Sequence, residues 1–361
     1  MPRAFETLPG RYYTDPDLFR RELETFFFNG WIWAGRTEML PEPGDYLLRE
    51  IARESIIVLR DDRHRLRAFY NVCRHRGTRI CTENEGHFAR RIQCPYHGWS
   101  YALDGALLGA PHMPPEFVRQ NYPLHEIRVD SWDGHVFLNL AAGAAALHEQ
   151  LGALPEKFAP WRMHELRFHK RISYDVHANW KLLVSNYNEC LHCPLLHPAL
   201  NRLTDYLGAD NEPACDSYIG GAMGFCNGAE TMSLDGKRRR AYLPGLGEIE
   251  RKQVCYYAIY PNLLLSLHPD YMLLHTLWPK AVDRTEILCE WYFHPDELER
   301  ADFYADDAIE FWDRTNREDW QIVEQSQLGI QSRAYTPGPY SPREELLHAF
   351  DQAVVRRERK N

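Results

Sequence analysis

The spacing of apolar positions changes character along the chain. Leu18, Phe19, Leu23 and Phe26 recur at helical intervals behind Asp15-Pro16-Asp17, which predicts an amphipathic helix that Gly30 ends. From Gly44 to about Ala110 the pattern becomes a series of short β runs at 46–48, 56–59, 66–70 and 99–103. Asp61-Asp62 and Asp104-Gly105 break them as hairpin turns. A small all-β unit set inside a larger chain is expected. After an apolar run at 136–140, the alanine-rich stretch 141–146 reads as a connector into a short helix.

The pattern beyond it is of another kind. Residues 166–176 read as a strand, and Trp180 to about Leu191 as a helix that Pro194 and Pro198 end. Residues 203–252 are rich in glycine and polar residues, carry the basic run Lys237-Arg238-Arg239-Arg240 and lack periodicity, so an excursion or lid is expected. Strands at 254–260, 263–267, 272–278 and 286–293 predict an antiparallel sheet. Phe303, Ala308, Phe311, Trp312, Trp320 and Val323 predict a long helix over 302–331, and a last helix covers 342–357. The expected fold class is α+β. A small all-β domain at 41–135 is inserted in a larger domain, built from 1–40 and 136–361, with an antiparallel sheet flanked by helices.

Composition narrows the function. With 42 basic and 51 acidic residues the net charge is −9, which argues against a nucleic-acid or anionic-membrane binder. No window approaches ~18 consecutive apolar residues, and the start Met1-Pro2-Arg3-Ala4-Phe5-Glu6 lacks a basic-then-apolar signal, so a cytoplasmic location is expected. Nine cysteines, an odd number, argue against a disulfide framework. Cys81, Cys215, Cys226, Cys255 and Cys289 are expected to be buried free thiols. The remaining four lie beside histidines.

Cys73-Arg74-His75-Arg76-Gly77 is followed, after the 18 residues 76–93, by Cys94-Pro95-Tyr96-His97-Gly98. Two thiolates and two imidazoles are the four protein ligands that one two-iron, two-sulfide cluster needs, with Cys73 and Cys94 on one iron and His75 and His97 on the other. A structural zinc ion takes the same donor set, although zinc fingers pair Cys with Cys and His with His. The two loops resemble those of the Rieske iron–sulfur family. Respiratory and photosynthetic members carry a disulfide at the positions of Thr78 and Tyr96. Neither is cysteine here, so the resemblance favours the oxygenase and ferredoxin branches.

A second constellation lies in Asn186-Tyr187-Asn188-Glu189-Cys190-Leu191-His192-Cys193-Pro194-Leu195-Leu196-His197. Glu189 and His192, three apart, are expected on one helix face, and Pro194 lets the chain turn so that His197 meets His192. Two histidines and a carboxylate form the facial triad of non-haem Fe(II) oxygenases. The pattern resembles the catalytic α subunits of Rieske non-haem iron oxygenases. That resemblance implies one [2Fe–2S] cluster and one mononuclear Fe(II) per subunit, with Asp319, in Glu318-Asp319, as third ligand and Asp313 as the fallback. It makes Glu189 a bridge that carries electrons from a neighbouring subunit's cluster histidine to His192, which implies a head-to-tail homotrimer. Cys190 and Cys193 have a Cys-x-x-Cys spacing that suits a redox dithiol, but are read as packing around the site. A Rieske electron-transfer protein without oxygenase chemistry is the reading from another class.

Without a Gly-x-Gly-x-x-Gly or flavin domain in the sequence, a separate NAD(P)H-dependent reductase or ferredoxin is implied as partner. Glutamate at position 189 resembles the choline, glycine betaine, carnitine and proline-betaine monooxygenase branch, whereas ring-hydroxylating relatives carry aspartate there. The expected reaction is oxidative N-demethylation of a quaternary ammonium compound, with hydroxylation of an aromatic acid as the alternative. A quaternary ammonium binds aromatic faces, and the chain has 10 Trp, 20 Tyr and 16 Phe. Tyr187, Phe225, Tyr257 and Tyr271 are candidate walls, and His268 a candidate contact for a substrate carboxylate.

Overall fold

A computed structural model describes residues 5–359. Met1 to Ala4, which open the segment on which the targeting expectation rests, lie outside the described residues. Two compact units divide the chain: Phe28–Leu147 forms one, and the residues before and after it form the other.

The chain opens with helices α1 (Arg11–Thr14) and α2 (Pro16–Glu22). Asp15 caps α2, accepting from the backbone N–H of Asp17 and Leu18, with Pro16 in the first turn where its missing N–H costs nothing. The helix widens into a π-turn at Leu23–Phe27 that buries Phe26 and Phe27.

In the smaller unit, β1 (Ile32–Arg36), β2 (Asp45–Ile51), β3 (Glu54–Arg60), β4 (Leu66–Tyr70), β5 (Glu85–His87), β9 (Glu126–Trp132) and β10 (His135–Asn139) form an antiparallel sheet in the order β1-β10-β9-β4-β3-β2-β5. The short strands β6 (Ile92–Gln93), β7 (Ser100–Tyr101) and β8 (Leu107–Gly109) form a second sheet. Ile57, Leu59, Phe69, Trp99 and Tyr101 close a core around Cys73 and Cys94. β1 and β10 hydrogen-bond each other inside this sheet, so the structure moves the expected boundaries at 40 and 135 outward to 27 and 147.

The larger unit continues through α3 (Leu147–Leu151), α4 (Leu154–Phe158), β11 (Arg167–Val176), α5 (Trp180–Tyr187), α6 (Cys193–Leu196) and α7 (Pro198–Asn201). Then come β12 (Thr204–Asn211), β13 (Tyr218–Phe225), β14 (Gln253–Ile259), β15 (Leu263–Leu267), β16 (Met272–Ala281) and β17 (Arg284–Phe293). These seven strands make one antiparallel sheet in the order β11-β17-β16-β15-β14-β13-β12. After α8 (Pro295–Leu298), α9 (Asp306–Ile330) packs on α5 and on β11, and α10 (Glu345–Arg359) ends the fold.

Two expectations are corrected. The segment 203–252 is no single lid: its first half holds β12 and β13, joined by the loop 212–217, and 226–252 is irregular apart from a short 3-10 turn. That remainder is anchored by Arg240, 1% exposed, which donates to Asp270 and Asp307. The helix from Trp180 stops at Tyr187, capped at its start by Asn179. Pro194 and Pro198 sit in the first turns of α6 and α7, so they begin helices instead of ending α5. Among the described residues no helix is long and apolar enough to cross a membrane.

Candidate metal centres and their cavity

In the smaller unit the two Cys/His loops have the same backbone. The Cys73 N–H donates to the Thr78 carbonyl and the Gly77 N–H to the Cys73 carbonyl; the Cys94 N–H donates to Trp99 and Gly98 to Cys94, at 2.8–3.2 Å. Gly77 and Gly98 take φ of 75° and 70°, the left-handed turn that a side chain would strain. Cys73 and Cys94 are buried at 2% exposure while His75 is exposed and His97 half-buried. The imidazole rings of His75 and His97 lie 4.7 Å apart, and His75 stacks on Trp99. The Tyr101 hydroxyl lies 3.3 Å from the Cys73 sulfur and accepts from the Arg74 N–H. Burial pushes the Tyr101 pKa up, which keeps a neutral phenol beside that sulfur.

Buried sulfur donors at one end and more accessible imidazoles at the other suit a two-iron cluster, whose two irons take the two kinds of donor separately. Among the described residues, donor atoms of His192, His197 and Asp319, in the larger unit, lie within 4.8 Å of one another.

The larger unit holds the second centre. The turn after α5 carries Glu189 and His192, so the expected common helix face is not formed. Instead Glu189 folds over its own turn, accepting from the Leu191 N–H and meeting His192 Nδ1 at 2.5 Å. His197 ends α6 and is 2% exposed. Its Nδ1 lies 2.7 Å from Glu318 and its Nε2 2.8 Å from Asp319 Oδ1. His192 Nε2 lies 3.4 Å from the same oxygen, which also accepts from Asn186.

The electrostatics follow from this packing. Burial opposes charge on His192, but Asp319 and Glu189 outweigh it and hold the imidazole up at about 9. His197 is raised in the same way against its burial, by Asp319 and Glu318. Burial works against ionisation of Asp319, yet both histidines hold it below the ordinary carboxylate range. Two imidazoles on one carboxylate, each oriented by a carboxylate at Nδ1, are a fitting donor set for a divalent iron, which would replace the shared protons. The fallback Asp313 is elsewhere: it accepts from the Tyr174 hydroxyl and pairs with Arg317.

Cys190 and Cys193 are corrected too. They form a disulfide across His192, their Cα atoms 5.0 Å apart, within the usual span of about 4.4–6.8 Å. Of the five cysteines expected as buried thiols, Cys81, Cys255 and Cys289 are buried, and Cys215 and Cys226 are partly exposed.

A cavity of about 290 Å³ opens onto the triad. Of the five substrate candidates only Tyr187 lines it. Tyr257 points to the other face of β14, against Phe158, and its neighbour Tyr256 takes the wall; successive side chains alternate across a strand. His268 and Tyr271 are fully buried and stack on each other behind the wall, and Phe225, at the end of β13, does not line it. Trp312, Thr315 and Asp319 share the lining, spaced three and four apart along one face of α9. That spacing was the signal in the sequence for Trp312. Glu318 could have been found as the carboxylate beside Asp319. Tyr187, Tyr256 and Trp312 form a continuous aromatic wall, with successive ring centroids 5.9 and 6.2 Å apart.

A cluster fold with surface imidazoles, and a separate sheet-and-helix unit with a two-histidine, one-carboxylate site, define a Rieske-type oxygenase. The comparisons agree: residues 30–131 match the Rieske [2Fe-2S] domain and 163–359 the ring hydroxylating alpha subunit catalytic domain, and the chain belongs to that family. It carries a [2Fe–2S] cluster domain and the oxygenase domain that binds mononuclear iron. An electron-transfer protein would need only the first. The chain is 32% identical to the glycine betaine monooxygenase oxygenase subunit of Pseudomonas aeruginosa, over 93% of this chain and 85% of that one. It is 31% identical to the carnitine monooxygenase oxygenase subunit of Escherichia coli, over 92% and 87%. The crystal structure of the quaternary ammonium Rieske monooxygenase CntA with L-carnitine superposes with a TM-score of 0.80 at 26% identity, covering 98% of this chain and 95% of that one.

Proposed function

We propose that the chain is the oxygenase component of a multicomponent cytoplasmic system that removes an N-methyl group from a quaternary ammonium compound or betaine. Its electrons come from NAD(P)H through a separate reductase or ferredoxin. The observation that carries this reading is the wall of Tyr187, Tyr256 and Trp312 in the same cavity as His192, His197 and Asp319. A quaternary ammonium has no N–H to donate, so aromatic faces are its natural receptor. Burial raises the pKa of both tyrosines, so they present neutral rings. Relatives named for glycine betaine and carnitine, at 31–32% identity, support the same class.

Cys73 and Cys94 would hold the inner iron of the cluster and His75 and His97 the outer one; His192, His197 and Asp319 would hold the ferrous ion. When bound, the cluster supplies electrons and the ferrous ion the activation of O2. The chain's own groups do the rest. Glu189 and Glu318 fix the imidazoles through Nδ1, which leaves both Nε2 atoms facing Asp319. Asn186 holds Asp319. The aromatic wall positions the trimethylammonium head and excludes water. In balance, substrate, O2, two electrons and two protons give the N-hydroxymethyl compound and water; this hemiaminal then loses formaldehyde and a proton to leave the tertiary amine. Glu189 links His192 to a cluster histidine of the next subunit in a head-to-tail homotrimer.

Formaldehyde release across a panel of N-methylated amines, with a surrogate reductase, tests the reading against ring hydroxylation of benzoates. Formaldehyde from a quaternary amine is expected. Ring-hydroxylated product without formaldehyde would overturn it.

A further inference from the structure

The cavity has a second polar feature away from the metal ligands. Arg343, in the turn before α10, lines the cavity and is the one permanent cation among the described residues that do so. Its Nη1 donates to the Leu207 carbonyl of β12 at 3.1 Å. Tyr206 and Ala209 of β12 line the cavity as well, so this bond ties Arg343 to a strand that forms part of the same lining. Among the described residues no carboxylate pairs with it. Glu345 shares the wall and is an acceptor, so Arg343 is the group there that can receive an anion. An aromatic wall beside the triad and an unpaired guanidinium at the rim suit a molecule with a trimethylammonium at one end and an anion at the other.

We infer that Arg343 receives the carboxylate of the substrate, so that this enzyme prefers zwitterionic betaines over cations such as choline. The inference rests on the proposed quaternary ammonium reading. A carboxylate gains a charge-assisted contact with guanidinium, while a purely cationic ligand meets a like charge. Because Arg343 is exposed, the contact is screened by salt.

Calorimetric titration of the holoenzyme and of Arg343→Gln with glycine betaine, carnitine and choline tests it. For the wild type, both betaines bind more tightly than choline and weaken with added salt. In Arg343→Gln their affinity falls about five- to tenfold while choline is unchanged or binds more tightly, and Arg343→Lys restores part of the loss. Equal loss for all three ligands, or none, would overturn the assignment while leaving the quaternary ammonium reading intact. Failure of all three to bind the wild type would overturn that reading and the assignment with it.

Discussion

His197 is held at both ring nitrogens, by Glu318 at Nδ1 and Asp319 at Nε2, and this double grip divides two neighbouring carboxylates between two tasks. Asp319→Ala should abolish binding of the mononuclear iron while Asp313→Ala keeps it, as read by iron analysis of protein whose visible cluster spectrum is intact. Glu318→Gln removes an orienting partner instead of a ligand, and should weaken iron binding about 10–100-fold. The proton count gives a second check. With His192 raised to about 9 without metal, iron must displace that proton at any pH below it, so affinity should rise at least about tenfold per pH unit well below about 9 and then level off. The sign for the metal-free fold is the reverse: a raised histidine pKa contributes stability that is full below about 6.5 and is lost as pH climbs through about 9. Iron titrations at stepped pH would show a flat profile if the histidines were neutral throughout. At the cluster, Tyr101→Phe removes the hydroxyl 3.3 Å from the Cys73 sulfur, which would donate to a cluster-bound thiolate, and redox titration should find a lowered potential.

At the scale of elements, the sites depend on how α2, α5 and α9 are fastened. Lys181, fully buried on α5, pairs with Glu22 of α2 at 2.7 Å, and Trp180 donates to the same carboxylate. Glu22→Ala would leave an unpaired buried ammonium and should destabilise the larger unit by about 3–5 kcal/mol, measured by chemical denaturation. A loss under about 1 kcal/mol, the scale of an exposed pair, would contradict that. Much of this architecture was legible in the apolar spacing. The meander β14–β17 and the helix α9 follow the expected runs because their periodicities are long and uninterrupted. The end of α5 was not legible, since the residues after Tyr187 are helix-compatible and it is the Glu189 carboxylate, accepting from Leu191, that organises the turn. β12 and β13 were hidden by their glycines and polar residues, and gain strand structure only from pairing. Tyr256 was passed over for Tyr257 because β14 is apolar on both faces, which erases the alternation that tells inside from outside.

For the whole molecule, the sequence motifs alone announced two metal centres, while the cavity beside one of them emerges only from the folded sheet and helices. If Glu189 carries electrons between subunits, chains lacking the cluster (His97→Ala) and chains lacking the iron ligand (Asp319→Ala) should regain activity when co-assembled, although each alone is inactive. Mixed oligomers that stay inactive would place the transfer within one chain. The central claim is that cluster electrons reach a ferrous site that demethylates a quaternary amine, and a single turnover tests it without any reductase. Reduced holoprotein is mixed with O2, with and without glycine betaine, while cluster absorbance and formaldehyde are followed together. The account predicts fast cluster oxidation with matching formaldehyde only when the betaine is present. Cluster oxidation that ignores every N-methylated amine and yields no formaldehyde would contradict it.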